Sequence, residues 1–278
     1  MTNYLNTHLD ANSDEVVDVL DELPFWSAPF GLKLLEYVKI RKNMSALDIG
    51  FGAGFPLTEI AMRLGNSGKT YGIDCWDTAI CRAEKKIKTY DIQNTRIIRG
   101  VAENIPLEKE TIDLITSNNA LNNVSDLEKS ISECSRIIKK GGQFIQTMNT
   151  QDTMIEFYQI MENVLSTLHM QSSLVKMKEH IYKKRKPVEE YLQLLEKYDF
   201  TVNNLVSDRF EYKYADSSTL LNSYFIRLAF LDGWKEIVPA DRLTEVLSTV
   251  ESEMNRVADI KGCFILSIPF VLIDCIKR

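Results

Sequence analysis

The sequence predicts an α/β fold, an open, doubly wound sheet of mainly parallel strands with helices on both faces. Two observations carry this. Short apolar runs of strand character alternate with helical patterns from about residue 30 to residue 150. The first of these runs, Ala46-Leu47-Asp48-Ile49, passes directly into Gly50-Phe51-Gly52-Ala53-Gly54 and then into a helical segment. That is the order in which doubly wound sheets build a ligand-binding turn at their carboxyl edge. With 278 residues and 45% apolar content, the chain can bury a sizeable core.

Alternating glycines accept backbone angles closed to other residues, so a ligand can lie against bare peptide. Pro56 suits the first turn of the following helix, and Gly65 ends the segment Phe55-Leu64 as a C-terminal cap would. A dinucleotide turn needs the spacing G-x-G-x-x-G, whereas here the third glycine comes one residue early and Phe55 takes the expected place. NAD is therefore disfavoured. The run Asp48-x-Gly50-x-Gly52-x-Gly54 resembles the first motif of class I, Rossmann-like S-adenosylmethionine-dependent methyltransferases. The resemblance implies a seven-stranded Rossmann-like sheet with an antiparallel last strand. It also implies S-adenosyl-L-methionine as methyl donor, S-adenosyl-L-homocysteine as product, and Asp48, Gly50, Gly52 and Gly54 as cofactor residues.

Residues 1-22 are polar and acidic and read as an N-terminal arm packed on the domain. In Leu23-Pro24-Phe25-Trp26-Ser27-Ala28-Pro29-Phe30-Gly31, three aromatics and two prolines precede a helix expected over Leu32-Val38; the resemblance implies that this segment helps cover the cofactor. Lys69-Asp74 reads as the second strand, with Asp74 at its carboxyl end, where an acid about twenty residues past the glycines can accept both ribose hydroxyls. Cys75 and Trp76 follow as candidates to flank the adenine. Asp77 is expected to cap a helix presenting Ile80, Ala83, Ile87 and Tyr90 on one face.

Thr95-Gly100 supplies a third strand, and Val101-Ala102-Glu103-Asn104-Ile105-Pro106-Leu107 resembles the family's adenine-side motif. Ala102 and Glu103 are cofactor candidates on that resemblance, while Val101 replaces the aspartate that often accepts the adenine amino hydrogen. Thr111-Ser117 is the fourth strand. It empties into Asn118-Asn119-Ala120-Leu121-Asn122-Asn123, where Asn118 and Asn119 can donate and accept toward the methionine end of the cofactor or a polar acceptor, or simply hold turns. This loop contains neither proline nor an aromatic residue, which departs from the motif of base-methylating enzymes. Ser125-x-x-Glu128 reads as a capping box for a helix over Asp126-Lys140 stopped by Gly141-Gly142, and Gln143-Met148 as the fifth strand.

The remaining chain divides by topology. The expected organisation is a 1-22 arm, a 23-150 S-adenosylmethionine-binding core, a 151-186 cap insertion, 187-214 holding a core helix and strand six, a second cap insertion at 215-260, and the last core strand at 261-278. Both insertions are expected to leave the carboxyl edge and form a largely helical cap. Phe157, Tyr158, Tyr182, Tyr224, Phe225, Phe230 and Trp234 fall in the insertions, most of them as core of the cap. Lys183-Lys184-Arg185-Lys186 reads as a solvated turn, with an anion or RNA contact as the alternative.

The net charge of −6 gives no overall attraction to nucleic acid, so no DNA partner is expected. Five scattered cysteines without Cys-x-x-Cys spacing suit a reduced cytoplasm, and no zinc spacing or metal site is read. No signal pattern and no apolar run long enough to span a bilayer are present in the sequence. His8, His169 and His180 each read as surface or packing residues. The expected activity is in-line methyl transfer to a small-molecule acceptor by a cytoplasmic monomer or homodimer, with no catalytic base identified. The alternatives are a non-catalytic binding protein of the same fold and a tRNA or protein methyltransferase.

Overall fold

The computed structural model describes residues 3–6, 9–22 and 24–278. Met1, Thr2, Thr7, His8 and Leu23 lie outside the described residues, and with them the readings made of His8 and of the first residue of the aromatic segment. Seven strands form one sheet: β1 Ser45–Ile49, β2 Lys69–Asp74, β3 Thr95–Arg99, β4 Ile112–Asn118, β5 Ile138–Asn149, β6 Phe200–Tyr214 and β7 Phe264–Lys277. Their order is β3-β2-β1-β4-β5-β7-β6, with β1 to β5 parallel and β7 antiparallel to β5. This is the doubly wound sheet expected, ending as the resemblance implied.

Helices in chain order are α1 Asp14–Glu22, α2 Ser27–Tyr37, α3 Leu57–Leu64, α4 Asp77–Thr89, α5 Leu127–Ile137, α6 Ile155–Thr167, α7 Gln171–Lys184, α8 Val188–Lys197, α9 Ser217–Asn222, α10 Tyr224–Ala229, α11 Leu231–Lys235 and α12 Leu243–Lys261. The chain separates into two compact units. One, the sheet unit, comprises Asn12–Asn149, Lys186–Asp208 and Phe270–Arg278; the other, the helical unit, comprises the described residues up to Ala11, Thr150–Arg185 and Arg209–Pro269.

In the sheet unit, parallel strands buried on both faces read as near-continuous apolar runs, because helices cover both sides. On one face Leu127, Ile131, Cys134 and Ile137 of α5 and Tyr191 and Leu195 of α8 pack on Leu47, Ile49, Ile115, Phe144 and Ile273. On the other, Leu34 and Leu35 of α2 and Ile60 and Leu64 of α3 pack on Ala46, Leu114, Ile145 and Leu272. The helical unit is built on Trp234, which is fully buried and stacked on Phe157 with ring centroids 3.8 Å apart, and whose Nε1 donates to Tyr158 Oη at 3.1 Å. Tyr182, by contrast, is exposed.

Several local expectations are corrected. Helix α2 begins at Ser27, five residues earlier than read, because Pro29 falls in the first turn, where a missing N–H costs no intrahelical bond. Helix α4 has Trp76, not Asp77, in the capping position, and Asp77 instead opens the helix and pairs with Arg99 at 2.8 Å. Tyr90 lies just past the end of α4 and is exposed. Helix α5 is capped by Asp126, whose carboxylate accepts from the Lys129 amide, so Ser125 is not the cap. Glu128 bonds Lys197 and Tyr198 instead of closing a capping box. Gly141 and Gly142 do not end α5. They lie in β5 where its pairing with β4 is interrupted: Ile138 pairs with Ile112 and Gln143 with Leu114, so Lys139 to Gly142 stand against Asp113 alone, and Gly141 takes a φ of 74°. The segment α1 is tied to α4 by Asp21, which pairs with Arg82 at 2.7 Å and with Lys86.

Candidate cofactor site

Strand β1 lies between β2 and β4, so the direction of winding reverses beside it and a crevice opens at the carboxyl ends. Register brings the sequence-read residues to that edge. Asp74 stands opposite Arg99 at the end of β2, Thr116 opposite Asp48, and Asn118 opposite Thr147.

The glycine turn leaves β1 with Gly50 N donating to Ile73 O and closes with Gly54 N donating to Phe51 O, both at 2.8 Å. Its three glycines are required for different reasons. A Cβ at Gly50 would stand 2.3 Å from that of Ala120, so Gly50 lets the β4 loop close against the turn. Gly52 has a φ of 52° and open space where its Cβ would be, which makes it the bare-peptide face of the turn. Gly54 lies against Ala83 of α4.

Asp48 is buried beneath this turn, 1% exposed. Thr116 Oγ1 donates to its Oδ1 at 2.7 Å, while Oδ2 has no partner. Burial pushes the carboxyl up to about 7; the Thr116 hydroxyl and the Leu57 backbone amide oppose this and the charge of Asp74 adds to it. Asp74 is partly buried and joins two backbone segments, its Oδ2 accepting from Gly52 N at 2.7 Å and its Oδ1 from Trp76 N at 2.9 Å. One carboxylate thus holds the open glycine beside the end of β2. Cys75 is exposed with a free thiol, and Trp76 is half-buried.

On the third side, Ala102 is buried in the apolar core and Val101 is exposed. Glu103 Oε1 accepts from the Ser125 and Asp126 amides at 2.8 and 3.0 Å, fixing the chain before α5. The asparagines are similarly engaged. Asn118 donates to Ser27 O at 3.0 Å and accepts from Thr147 Oγ1 at 3.1 Å. Asn119 takes a φ of 53° and accepts from the Asn149 amide and from Asn122 Nδ2, each at 3.0 Å. Their amides therefore tie β4 to α2 and β5.

Sequence reading missed Thr116, Ala120 and Gly31. Nothing in the order of residues singles out the first two. Gly31 carries a signal, a glycine inside an apolar helix: a Cβ there would come 2.1 Å from the Phe55 ring and 3.0 Å from Asn118 Nδ2, so α2 can approach the glycine turn.

An orphaned acidic oxygen under a turn with one open glycine, beside a carboxylate at the end of β2, fits a ligand that is cationic at one end and carries hydroxyls at the other. Residues 40–205, more than half of the chain, match the methyltransferase domain family. The chain belongs to this methyltransferase family. Among its curated relatives, the demethylmenaquinone methyltransferase of Geobacillus sp. (strain WCH70) is 31% identical over 126 residues, covering 45% of this chain and 54% of that one. The chain spans about half the length of the curated relatives it matches. The fold of this methyltransferase family member is similar to that of a putative methyltransferase from Bacillus halodurans C-125, at 18% identity and a TM-score of 0.58 over 89% of this chain and 98% of that one. It is also similar to geranyl diphosphate C-methyltransferase from Streptomyces coelicolor A3(2), solved with Mg2+, geranyl diphosphate and S-adenosyl-L-homocysteine. There the identity is 15% and the TM-score 0.56 over 94% and 84% of the two chains. No helix among the described residues is long and apolar enough to cross a membrane.

Proposed function

We propose that the protein transfers a methyl group from S-adenosylmethionine to a small-molecule acceptor. The observation that carries this is the glycine turn, with buried Asp48 beneath it and Asp74 beside its open glycine. In this reading Gly50, Gly52 and Gly54 present backbone to the cofactor, and the free Asp48 oxygen faces its cationic methionine end. Asp74 exchanges one backbone bond for the ribose hydroxyls, and Cys75 and Trp76 flank the adenine. Ala102 contributes through its backbone, while Glu103, Asn118 and Asn119 hold the walls in place through the bonds already described. The bound donor supplies an electrophilic methyl on a sulfonium, so the chain's task is alignment and exclusion of water.

A small acceptor is supported by the curated relative named for demethylmenaquinone.

Calorimetric titration with S-adenosylmethionine and S-adenosylhomocysteine tests the donor site. Both should bind, and failure of both to bind overturns the reading. Gly52→Val should fold and lose binding, because a branched side chain would fill the open face of the turn; unchanged affinity in that variant removes the cofactor from this loop. Transfer of labelled methyl to small acceptors, demethylmenaquinol among them, separates an enzyme from a protein that only binds.

A further inference from the structure

The cationic run at the end of α7 is not the solvated turn expected. Lys183 and Lys184 are exposed, but Arg185 turns inward and is 3% exposed. Its guanidinium carbon lies 5.7 Å from the centroid of the Tyr158 ring. Its Nε and Nη1 are buried without a hydrogen-bond partner, and it forms no ion pair among the described residues. Tyr158 accepts from Trp234, which is stacked on Phe157, and both rings are buried.

His180 belongs to the same surroundings. A Cβ at Gly233 would come 2.8 Å from its Cε1, so this glycine leaves room for the imidazole. Burial first, and then the charge of Arg185, keep His180 below the usual histidine range, so that at neutral pH it is an uncharged ring with one donor and one acceptor.

Guanidinium does not lose its proton, and burying it without a counter-charge is costly. The face of one tyrosine returns only part of that cost. Two buried, unpartnered N–H donors on a group that keeps its positive charge call for anionic oxygen acceptors, such as those of a carboxylate or phosphate.

We propose that Arg185 anchors a binding site in the helical unit for an oxyanion, the carboxylate or phosphate group of a small molecule. This goes beyond the methyl-transfer reading and does not depend on it.

The test uses the full chain without cofactor. Thermal unfolding and calorimetric titration are run with inorganic phosphate and, separately, with acetate, against chloride at matched ionic strength. At least one probe should raise the melting temperature saturably in the wild type and in Lys184→Gln, and the preferred probe tells phosphate from carboxylate ligands. Arg185→Met should lose the response, with at least a tenfold loss of affinity, and should be at least as stable as wild type in chloride. If Arg185→Met does not fold, Arg185→Lys decides: it keeps the charge, loses the Nε and Nη1 donors, and should bind at least tenfold more weakly. No saturable response beyond chloride in the wild type, or equal affinity in the Arg185 variant, overturns the proposal. Binding of S-adenosylmethionine is measured separately, so either reading can fail without the other.

Discussion

Asp48 is placed where a carboxylate is least stable and a cationic ligand most useful. Burial raises its folded pKa to about 7, far above the ordinary carboxylate value of 3.8. The folded state therefore holds this proton more tightly than the unfolded chain does. The resulting stabilisation is complete below about pH 4 and is lost as pH rises through about 7. In the cofactor-free protein the unfolding free energy should fall across that window by an amount on the order of 4 kcal/mol at most. Asp48→Asn should remove the slope, as read by urea denaturation at several pH values; an unchanged slope would assign it to other groups. Asp74 sits differently, shared between the Gly52 and Trp76 amides, so its role in shaping the turn is inseparable from any role in binding.

At the scale of elements, the start of α5 separates a signal read in sequence from the group that acts. Ser125 and Glu128 have capping-box spacing, yet Asp126 supplies the cap and Glu103, twenty-odd residues earlier, takes the Ser125 and Asp126 amides. Asp126→Ala should cost about 1 kcal/mol in chemical denaturation and Ser125→Ala close to nothing; the reverse order would restore the capping box. The two glycines after α5 show a similar shift. They punctuate the chain as read, but a positive φ at Gly141 serves the excursion inside β5 as readily as a helix end.

For the whole molecule, binding and stability are linked. A ligand that binds the folded chain alone stabilises it by about 2.7 kcal/mol at one hundred times its Kd. S-adenosylmethionine and S-adenosylhomocysteine should therefore raise the melting temperature of the wild type with concentration and leave that of Gly52→Val unmoved. A shift of equal size in the variant would place the ligand away from the glycine turn.

The strand-helix alternation of the first five strands and the glycine turn were legible because they rest on local signals: apolar runs, a strand leading into glycines, and an acid one strand further on; the antiparallel last strand came with the family resemblance. Nearest-neighbour chemistry is written in the residues themselves. Partners distant in sequence are not. That Thr116 bonds Asp48, that Ala120 presses on Gly50, and that Asn118 and Asn119 are consumed in joining β4 to α2 and β5 follow from register and packing between segments dozens of residues apart. The same holds for Arg185. As one of four consecutive cations it looks solvated, and only the folding of α7 against the Tyr158–Trp234 core turns its guanidinium away from water. The sequence alone determined the fold class and the strand, glycine turn and acid that gather at one sheet edge. Tertiary structure decided which side chains remain free to act, because burial and hydrogen-bond satisfaction depend on what each residue meets.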